Sequence, residues 1–473
     1  MAFFDLSVWQ WIVLFQQELL LFAGVFFLIG AIDDLAVDFT WIWLRLRGKA
    51  KTPRIDRREL IEAQLSGPAA IFIPAWNEAD VIGDTVAHAL RSWPQSNFRL
   101  YVGCYRNDPD TIAAIMQAAP GDARLRIVVH DREGPSTKAD CLNRLYTAMR
   151  DDERRMGGLF SFVVFQDAED MVDPAALGLL DRAMAEGIDF AQLPVEPLVQ
   201  RDRGWFGRHL GSHYCEEFAE AHGKAMVVRD ELGAALPGAG VGCAVSRVAI
   251  QKLCRRRYDL KPFSSESLTE DYELGIAVDE TGGKCRFLRM RGEDGRLIAT
   301  RAFFPARLDH VVRQKTRWVH GIALQGWDRV GWSGRIVETW MRARDRRGPL
   351  TAVVLLFGYA LLILTLLSWS ASQLGLGEPM AMTPLLQGLL IANLIAFVWR
   401  TVWRFGWTAS VYGVREGIYA VIRIPLTNVI AIMAGRRALF AYGRSLRGRG
   451  VDWDKTPHIG HPVRLNAIEP GAA

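Results

Sequence analysis

The chain has 473 residues, of which half are hydrophobic and 23% are charged, and its formal net charge is +5 at pH 7. This length predicts two or three structural units. The basic residues accompany long apolar runs and no DNA- or RNA-binding motif, so they indicate the cytoplasmic side of a membrane protein, and we expect no nucleic acid as a partner. The six cysteines form no C-x-x-C pair, which is typical of reduced thiols in the cytosol.

The first apolar run, residues 12–32, is long enough to cross a bilayer core of about 30 Å. No basic stretch precedes it and no small-residue cleavage site follows it, so it predicts a retained helix rather than a signal peptide. Five basic residues lie between positions 45 and 54. Because positive charge marks the cytoplasmic side, residue 50 is predicted in the cytosol and the N-terminus outside.

Two further apolar runs occupy residues 350–371 and 384–399, the second extendable to about 403. Arginines precede the first run and follow the second, whereas their connection contains no Lys or Arg, which predicts one outward and one inward crossing. A fourth stretch, residues 417–434, contains Arg423 and Pro425 and is followed by five arginines. It predicts a helix lying in the cytoplasmic interface, with a fourth crossing as the alternative.

The middle of the chain alternates short apolar runs with polar, helical-looking sequence. Four runs have the length and composition of buried parallel strands, at residues 69–75, 98–104, 124–130 and 160–167. Their alternation with helices predicts an α/β fold built on a doubly wound parallel sheet. Such sheets bind ligands at the carboxyl ends of their strands, so the polar residues after each strand are the candidates for a site.

Acidic and phosphate-binding residue types follow all four predicted strands. Each residue alone is typical of a turn or a helix cap, but their convergence on one sheet edge predicts a binding site. In "DAED" (167–170), carboxylates just after a buried strand could hold a hard divalent cation. The residues concerned are Asn77, Glu78, Asp108, Lys138, Asp140, Asp167, Glu169 and Asp170.

Two later segments could complete the chemistry. "TED" places Glu270 and Asp271 at the start of a helical stretch, where a carboxylate could act as a general base even if Thr269 caps the helix. "GAGVGC" (238–243) has glycines at alternate positions, which let the backbone approach a ligand closely or form a flexible turn.

Taken in order, six motifs resemble the signatures of membrane-bound family 2 glycosyltransferases of the cellulose-synthase-like kind. The resemblance covers roughly residues 65–330, and the motifs are specific only as a set. One departure is that the third position of the usual D-x-D is Glu169, followed by Asp170, so the exact ligand pair stays open. The motifs are "IPAWNE" (73–78), "ND" (107–108), "KAD" (138–140), "DAE" (167–169), "TED" (269–271) and "QKTRW" (314–318).

The resemblance implies a GT-A-like sheet, an inverting reaction and a nucleotide-diphosphate sugar as donor. Asp271, with Glu270 beside it, would be catalytic. Gly240, Gly242, Cys243 and Trp318 would form the acceptor side, and Asp167, Glu169 and Asp170 would hold Mg²⁺ or Mn²⁺. For Arg317 and Trp318, a basic interfacial anchor is the alternative. The implied donor-binding residues are Asn77, Glu78, Asp108, Lys138, Asp140, Asp167, Gln314, Arg317 and Trp318.

These observations predict a multi-pass protein of the bacterial inner membrane with a cytoplasmic catalytic domain. It would transfer a hexosyl or N-acetylhexosaminyl unit to a growing exopolysaccharide or surface glycan, with an outer-membrane export or receptor protein as a candidate partner. The alternatives are transfer of a single sugar to a lipid acceptor, and a non-catalytic membrane scaffold or phage-receptor component on the same fold. The predicted units are a transmembrane segment (1–44), a glycosyltransferase domain (45–349) with an interfacial segment (305–340), two transmembrane helices (350–404), and an interfacial helix with a cytoplasmic tail (405–473).

Overall fold

A seven-stranded sheet forms the centre of the protein in a computed structural model, which describes residues 7–378, 380–447, 458 and 460–466. The four predicted strands are confirmed, each within two residues of its expected boundaries. The strands are β1 (Ala69–Pro74), β2 (Phe98–Tyr105), β3 (Leu125–His130), β4 (Phe162–Phe165), β5 (Phe190–Gln192), β6 (Val195–Pro197), β7 (Cys243–Ser246), β8 (Cys285–Phe287) and β9 (Thr300–Ala302).

The large sheet has the strand order β3-β2-β1-β4-β7-β5-β8, and β6 pairs with β9 in a small second sheet. The predicted parallel pairing is confirmed for the first four strands and also joins β5 to β8. The exception is β7, which runs antiparallel to both β4 and β5. The strand β7 runs antiparallel because the segment before it lies at the carboxyl ends of β4 and β5. There the Gly242 N–H donates to the Gln166 side chain, and the Gly242 C=O accepts from the Leu193 N–H.

Helices cover both faces of the large sheet, as a doubly wound fold requires. Successive residues of a strand point to opposite faces, so Ile71 and Ile73 of β1 belong to one buried cluster and Phe72 to the other. Burial on both faces explains why the strands read as continuous apolar runs. All six cysteines are free thiols, as expected.

The helices range from single turns to rods longer than a bilayer. Two π-helical segments, Ala221–Ala225 and Val319–Gln325, join consecutive α-helices. The α-helices are α1 (Val8–Leu46), α2 (Arg57–Glu62), α3 (Ile82–Ser92), α4 (Pro109–Ala118), α5 (Lys138–Met156), α6 (Ala176–Ala185), α7 (Trp205–Glu220), α8 (Met226–Glu231), α9 (Arg247–Arg255), α10 (Glu270–Glu280), α11 (Leu308–Trp318), α12 (Gly326–Val330), α13 (Ile336–Arg346), α14 (Gly348–Gln373), α15 (Pro384–Tyr412), α16 (Val414–Ile422), α17 (Ile424–Ser445) and α18 (Pro462–Asn466).

Four helices of the described chain are long and apolar enough to cross a membrane: α1, α14, α15 and α17. Three of them contain the runs predicted to span. The helix α15 continues nine residues beyond the predicted limit of 403, because its last turns attach to the α/β unit. There Arg404 pairs with Glu216 of α7, and the Tyr412 hydroxyl donates to Pro197 C=O at 2.7 Å.

The fourth candidate, α17, contains the second half of the stretch predicted to lie in the interface. Its N-terminus follows Arg423, whose guanidinium lies 2.8 Å from Glu216 Oε2. Near its C-terminus, the Tyr442 hydroxyl donates to Asp328 Oδ2 at 2.8 Å. α17 also packs along α14, with Asn428 Nδ2 3.3 Å from the Tyr359 hydroxyl. The interfacial helix therefore stays a prediction, with a fourth crossing as its alternative.

Ion pairs join the first membrane helix to the later ones. Asp33 and Asp34 lie within α1, and Arg347 reaches them with Nη1 at 2.7 Å and Nη2 at 2.9 Å, respectively. Arg344 pairs with Asp33, and Arg400 with Asp34. Arginines that the sequence assigns to the cytoplasmic side of the membrane thus also hold α1 against α13, α14 and α15.

Candidate active site

The candidate site is a cleft at the carboxyl ends of β1 and β4. The chain leaves β1 toward β2 on one side, whereas β4 lies on the other, so this is the switch point of the sheet, where α/β proteins bind ligands. The helix α11 contributes Gln314, Arg317 and Trp318 to one wall of the cleft. Its polar lining consists of Glu78, Lys138, Asp167, Glu169, Asp170, Thr269, Glu270, Asp271, Gln314, Arg317 and His458.

Lys138 carries the positive charge at the centre of the cleft. It is the first residue of α5, and its Nζ lies 2.5 Å from Asp167 Oδ1 and 3.9 Å from Glu270 Oε1. Burial would lower the pKa of this ammonium group, but the carboxylates of Asp167, Glu270 and Asp271 outweigh burial and raise the pKa. Lys138 therefore stays charged and holds the end of β4 close to the start of α10.

Glu270 and Asp271 occupy the first turn of α10, as the sequence predicts. Asp271 Oδ1 accepts the Tyr272 N–H at 2.8 Å, whereas Thr269 makes no side-chain cap. Burial raises the pKa of Asp271, and burial together with the Asp271 charge raises the pKa of Glu270 to about 7. Glu270 is buried and Asp271 is half-buried, so Asp271 is the carboxylate more accessible to a ligand.

The glycine segment packs directly against Asp271. Gly240 has a φ of +80°, and a Cβ there would lie 2.6 Å from Asp271 Oδ2. A Cβ at Gly238 would meet the Asp271 carbonyl oxygen at the same distance, and one at Gly242, whose φ is +60°, would meet Thr300 Oγ1 at 2.4 Å. The alternate glycines are therefore needed for close backbone approach. Cys243 begins β7 and is buried in the hydrophobic core, so its thiol is not available to an acceptor.

Two glutamines that sequence reasoning missed hold this segment in place. Gln192, fully buried at the end of β5, accepts the Ala239 N–H at 2.9 Å and donates to Val241 C=O at 2.8 Å. Gln166, at the end of β4, accepts the Gly242 N–H at 3.2 Å. A polar residue at the end of an apolar strand is the sequence signal that could have indicated both glutamines.

The three predicted metal ligands are placed in different surroundings. Asp167 pairs with Lys138, whereas Asp170 Oδ2 accepts the Asp167 N–H at 2.7 Å and lies buried within the turn. Glu169 lies beside Glu78 and His458, and these three residues offer ligand atoms within 4.8 Å of one another. Burial raises the pKa of Glu169 to about 7, although His458 opposes the rise.

Three of the predicted donor-binding residues lie beside the cleft rather than in its lining. Asp108 caps α4 and accepts the Asn77 N–H at 2.5 Å, which supports Asn77 in its left-handed conformation, with a φ of 54°. Asp140 Oδ2 lies 3.1 Å from His130 Nε2. Asp108 therefore has the role of a helix cap, and its carboxylate also holds the loop after β1 in place.

The helix α11 brings Gln314, Arg317 and Trp318 to the cleft. Gln314 is buried with no hydrogen-bond partner for its Oε1, and Arg317 makes no ion pair with any residue that the structure describes. The Trp318 ring belongs to an aromatic wall with Tyr214, Phe218 and Phe304. Lys315, which belongs to the same "QKTRW" motif, pairs with Glu217 of α7.

The switch-point cleft of this mostly parallel α/β sheet combines paired carboxylates with basic residues, an arrangement suited to an anionic substrate. Residues 67–321, just over half of the chain, match the model of the glycosyltransferase-like family 2, and the protein belongs to this family. The four apolar helices are compatible with a membrane protein.

Similarity to characterised proteins extends beyond the family match. The chain is 32% identical over 466 residues to bacteriophage adsorption protein B of Escherichia coli strain K12 and to bacteriophage N4 adsorption protein B of E. coli O157:H7. The alignment covers 92% of this chain but only 61% of each relative.

Two solved structures are similar to this chain at low sequence identity. A mannosyltransferase from Pyrobaculum calidifontis in complex with GDP-Man and Mn²⁺ is 14% identical, with 84% of this chain and 98% of that chain covered and a TM-score of 0.46. Glucosyl-3-phosphoglycerate synthase from Mycobacterium tuberculosis in complex with Mn²⁺, UDP-glucose and phosphoglyceric acid is 20% identical, with coverage of 56% and 81% and a TM-score of 0.33.

Proposed function

We propose that this protein is an inverting glycosyltransferase of the bacterial inner membrane, with its α/β unit in the cytosol. It transfers a hexosyl or N-acetylhexosaminyl unit from a nucleotide-diphosphate sugar to a growing exopolysaccharide or surface glycan. The observation that carries the proposal is the approach of Asp271 to Lys138, Asp167 and Arg317 in one cleft. A base for the acceptor and positive charges for the leaving group are thereby placed within reach of one substrate.

Asp271 acts as the general base. Its carboxylate takes the proton of the acceptor hydroxyl while that oxygen bonds to the anomeric carbon from the side opposite the diphosphate. The bond between the anomeric carbon and the diphosphate oxygen breaks, and its electron pair leaves with the nucleoside diphosphate. One displacement inverts the configuration. The hydrogen bond from Tyr272 N–H and the contact with Gly240 hold the carboxylate in a single orientation.

Basic side chains stabilise the charge that develops on the leaving group. Lys138 and Arg317 both line the cleft, and Lys138 is held in place by Asp167. Fixed charges of this kind act most strongly in a cleft from which water is excluded. The oxygen-rich donor set of Asp167 and Glu169 suits Mg²⁺ or Mn²⁺, which when bound would add positive charge at the diphosphate.

The acceptor lies between the glycine segment and the aromatic wall. Trp318 presents an apolar ring surface, which is a suitable partner for the C–H face of a pyranose. Because α11 packs against α14 and α17 through the neighbouring segments, the acceptor side of the cleft faces the membrane helices. This placement supports elongation of a glycan close to the bilayer.

Transfer of a single sugar to a lipid acceptor is the second candidate. A groove between α11 and α17 combines the apolar side chains of Val312, Met433 and Phe440 with the cations of Arg436 and Arg444. Such a mixture fits a lipid phosphate. A non-catalytic scaffold is the third possibility, because the relatives are named for phage adsorption, and an outer-membrane receptor or export partner is proposed on the same ground.

The decisive experiment incubates the purified protein in detergent with a panel of nucleotide sugars, lipid and glycan acceptors, and Mg²⁺ or Mn²⁺. Mass spectrometry of the products distinguishes a polymer from a single glycolipid. We expect a glycosylated product with one donor, of inverted anomeric configuration, and its loss in EDTA. A folded protein that neither transfers nor hydrolyses any donor supports the scaffold instead.

A further inference from the structure

The C-terminal residues 458 and 460–466 lie against the turn that follows β4. His461 is buried, and its Nε2 lies 3.2 Å from the Asp170 carbonyl oxygen. Arg464, in the short helix α18, bonds to Asp84 Oδ2 at 2.5 Å and to the Asp80 carbonyl oxygen at 3.2 Å. Two separate contacts thus attach the end of the chain beside the "DAED" turn, more than 280 residues away in sequence.

This attachment places the His458 ring inside the cleft between two carboxylates. Its Nδ1 lies 2.9 Å from Glu78 Oε1, and its Nε2 lies 3.1 Å from Glu169 Oε1. Glu78 is buried, and Glu169 and His458 are partly buried, so the group is largely shielded from bulk water. Neither the family motifs nor the sequence pattern assigns a role to His458.

The two ring nitrogens have surroundings typical of a metal-binding histidine. Such a histidine binds the metal with one nitrogen and donates its other N–H to a carboxylate that fixes the ring. Neighbouring ligands about 2.1 Å from an octahedral cation lie roughly 3 Å apart. The 3.1 Å between His458 Nε2 and Glu169 Oε1 matches that spacing, and the contact with Glu78 matches the orienting bond.

We propose that His458 Nε2 and Glu169 are ligands of the divalent cation of the donor cleft, with Glu78 as the carboxylate that orients the ring. The inference rests on the proposed function, since the cation would serve the donor diphosphate. It adds a ligand from the C-terminal segment to a site otherwise built from the α/β sheet. Cation binding and the position of this segment are therefore coupled.

A nitrogen ligand also determines which cation is preferred. All-oxygen sites suit Mg²⁺, whereas imidazole binds first-row transition metals more tightly. The site should therefore favour Mn²⁺ over Mg²⁺ by more than an all-carboxylate site would. Replacing His458 by aspartate should keep an oxygen ligand for Mg²⁺ but remove this preference.

The test measures Mn²⁺ binding to the full-length protein in detergent, without donor, by electron paramagnetic resonance, and obtains the Mg²⁺ affinity by competition. We expect His458→Ala to weaken Mn²⁺ binding roughly 10-fold or more, and Glu78→Gln to weaken it less. His458→Asp should lose the preference for Mn²⁺ while Mg²⁺ binding persists. His310→Ala is the matched control, because His310 also faces a carboxylate, Asp309, at 3.5 Å but lies outside the cluster.

Three outcomes would overturn the inference: absence of Mn²⁺ binding by the unmodified protein, equal binding by it and His458→Ala, and tighter binding by His458→Ala. The last would mean that His458 competes with the cation as a substitute positive charge. Metal-dependent transfer with unchanged Mn²⁺ binding in His458→Ala would refute this inference alone. Weakened Mn²⁺ binding in that variant, together with absence of transfer by the unmodified protein, would refute the proposed function alone.

Discussion

Asp271 and Glu270 are adjacent carboxyl groups whose pKa values are both raised by burial. Their environments nevertheless differ, since Glu270 is buried close to Lys138 and Asp271 lies beside Gly240 in the cleft. A general base must reach the substrate, which favours Asp271. The neighbouring Glu270 carboxyl group instead affects the ionisation of Asp271.

We therefore expect Asp271→Asn to lower the rate of transfer about 10²- to 10⁴-fold, the usual contribution of a general base. Donor affinity should be unchanged, because the base acts on the acceptor hydroxyl. Single-turnover kinetics and donor binding by calorimetry check the two quantities separately. Near-normal turnover in this variant would show that another group takes the proton.

The raised pKa values also predict an acid limb in the pH dependence of transfer. Burial raises the pKa of both Glu270, to about 7, and Asp271, so the pair takes up a proton as the pH falls, and the base has lost its negative charge whenever that proton is on Asp271. The turnover number should thus rise between pH 6 and 8. Glu270→Gln removes the neighbouring carboxylate and should move the limb to lower pH, because like charges no longer oppose ionisation of Asp271. An unchanged pH dependence of turnover in Glu270→Gln would show that the Glu270 charge does not affect the ionisation of Asp271.

Arg317 should matter for transfer more than for membrane attachment. We expect Arg317→Ala to reduce turnover about 100-fold or more, the typical loss when one fixed donor to a developing negative charge is removed. Arg317→Lys should recover only part, since lysine lacks the bidentate fork. Turnover per folded, membrane-inserted molecule is the measurement.

The control for Arg317 needs an arginine outside the cleft. Arg307 is suitable, because its side chain is 70% exposed and pairs only with nearby Asp309 among the described residues. Arg329 is unsuitable, because its guanidinium binds both carboxylate oxygens of Glu273 in α10 at 2.7 and 3.1 Å. Equal, small losses in Arg317→Ala and Arg307→Ala would favour the interfacial anchor.

At the scale of elements, the glycine segment and α10 act as one unit. Gly240 and Gly121 have similar backbone angles, with φ of +80° and +75°, but a Cβ at Gly121 has nothing within 4 Å whereas one at Gly240 meets Asp271. The two positions therefore separate backbone strain from displacement of the base.

We expect Gly240→Ala and Gly121→Ala to cost a similar 1–2 kcal/mol, roughly, from the left-handed backbone. Only Gly240→Ala should also lower turnover, by about 100-fold, because a small misplacement of a catalytic group costs that much. Thermal unfolding and steady-state rates of both variants provide the comparison. Full activity in Gly240→Ala would remove the segment from the site.

At the scale of the whole molecule, contacts at both ends of α17 bear on the number of membrane crossings. The interfacial prediction puts both ends of α17 on the cytoplasmic side, where Arg423 pairs with Glu216 and the Tyr442 hydroxyl donates to Asp328. We therefore expect a reporter fused after residue 473 to behave as cytoplasmic and one inserted at Gly377 as periplasmic. A periplasmic C-terminus would mean that α17 spans.

The sequence by itself determined the elements with strong local patterns. Site residues follow four strands that are buried on both faces, and each of these strands therefore has an uninterrupted apolar sequence. The long apolar helices are equally easy to predict from the sequence. The acidic residues that end these strands could be named because parallel strands bring their carboxyl ends to one edge. Asp167 and Lys138 were therefore predictable as members of one site.

Only the tertiary structure decided features that depend on distant segments. The antiparallel β7 is four residues long and has no pattern that reveals its direction. Gln192 acquires its role from a loop nearly fifty residues later. Asp108 and Lys315 have the residue types that a donor site needs. In the structure, however, Asp108 accepts a hydrogen bond from a nearby backbone N–H, and Lys315 forms an ion pair with Glu217 of α7. His458 enters the cleft from the far end of the chain, and local sequence patterns carry no information about contacts formed across such a separation.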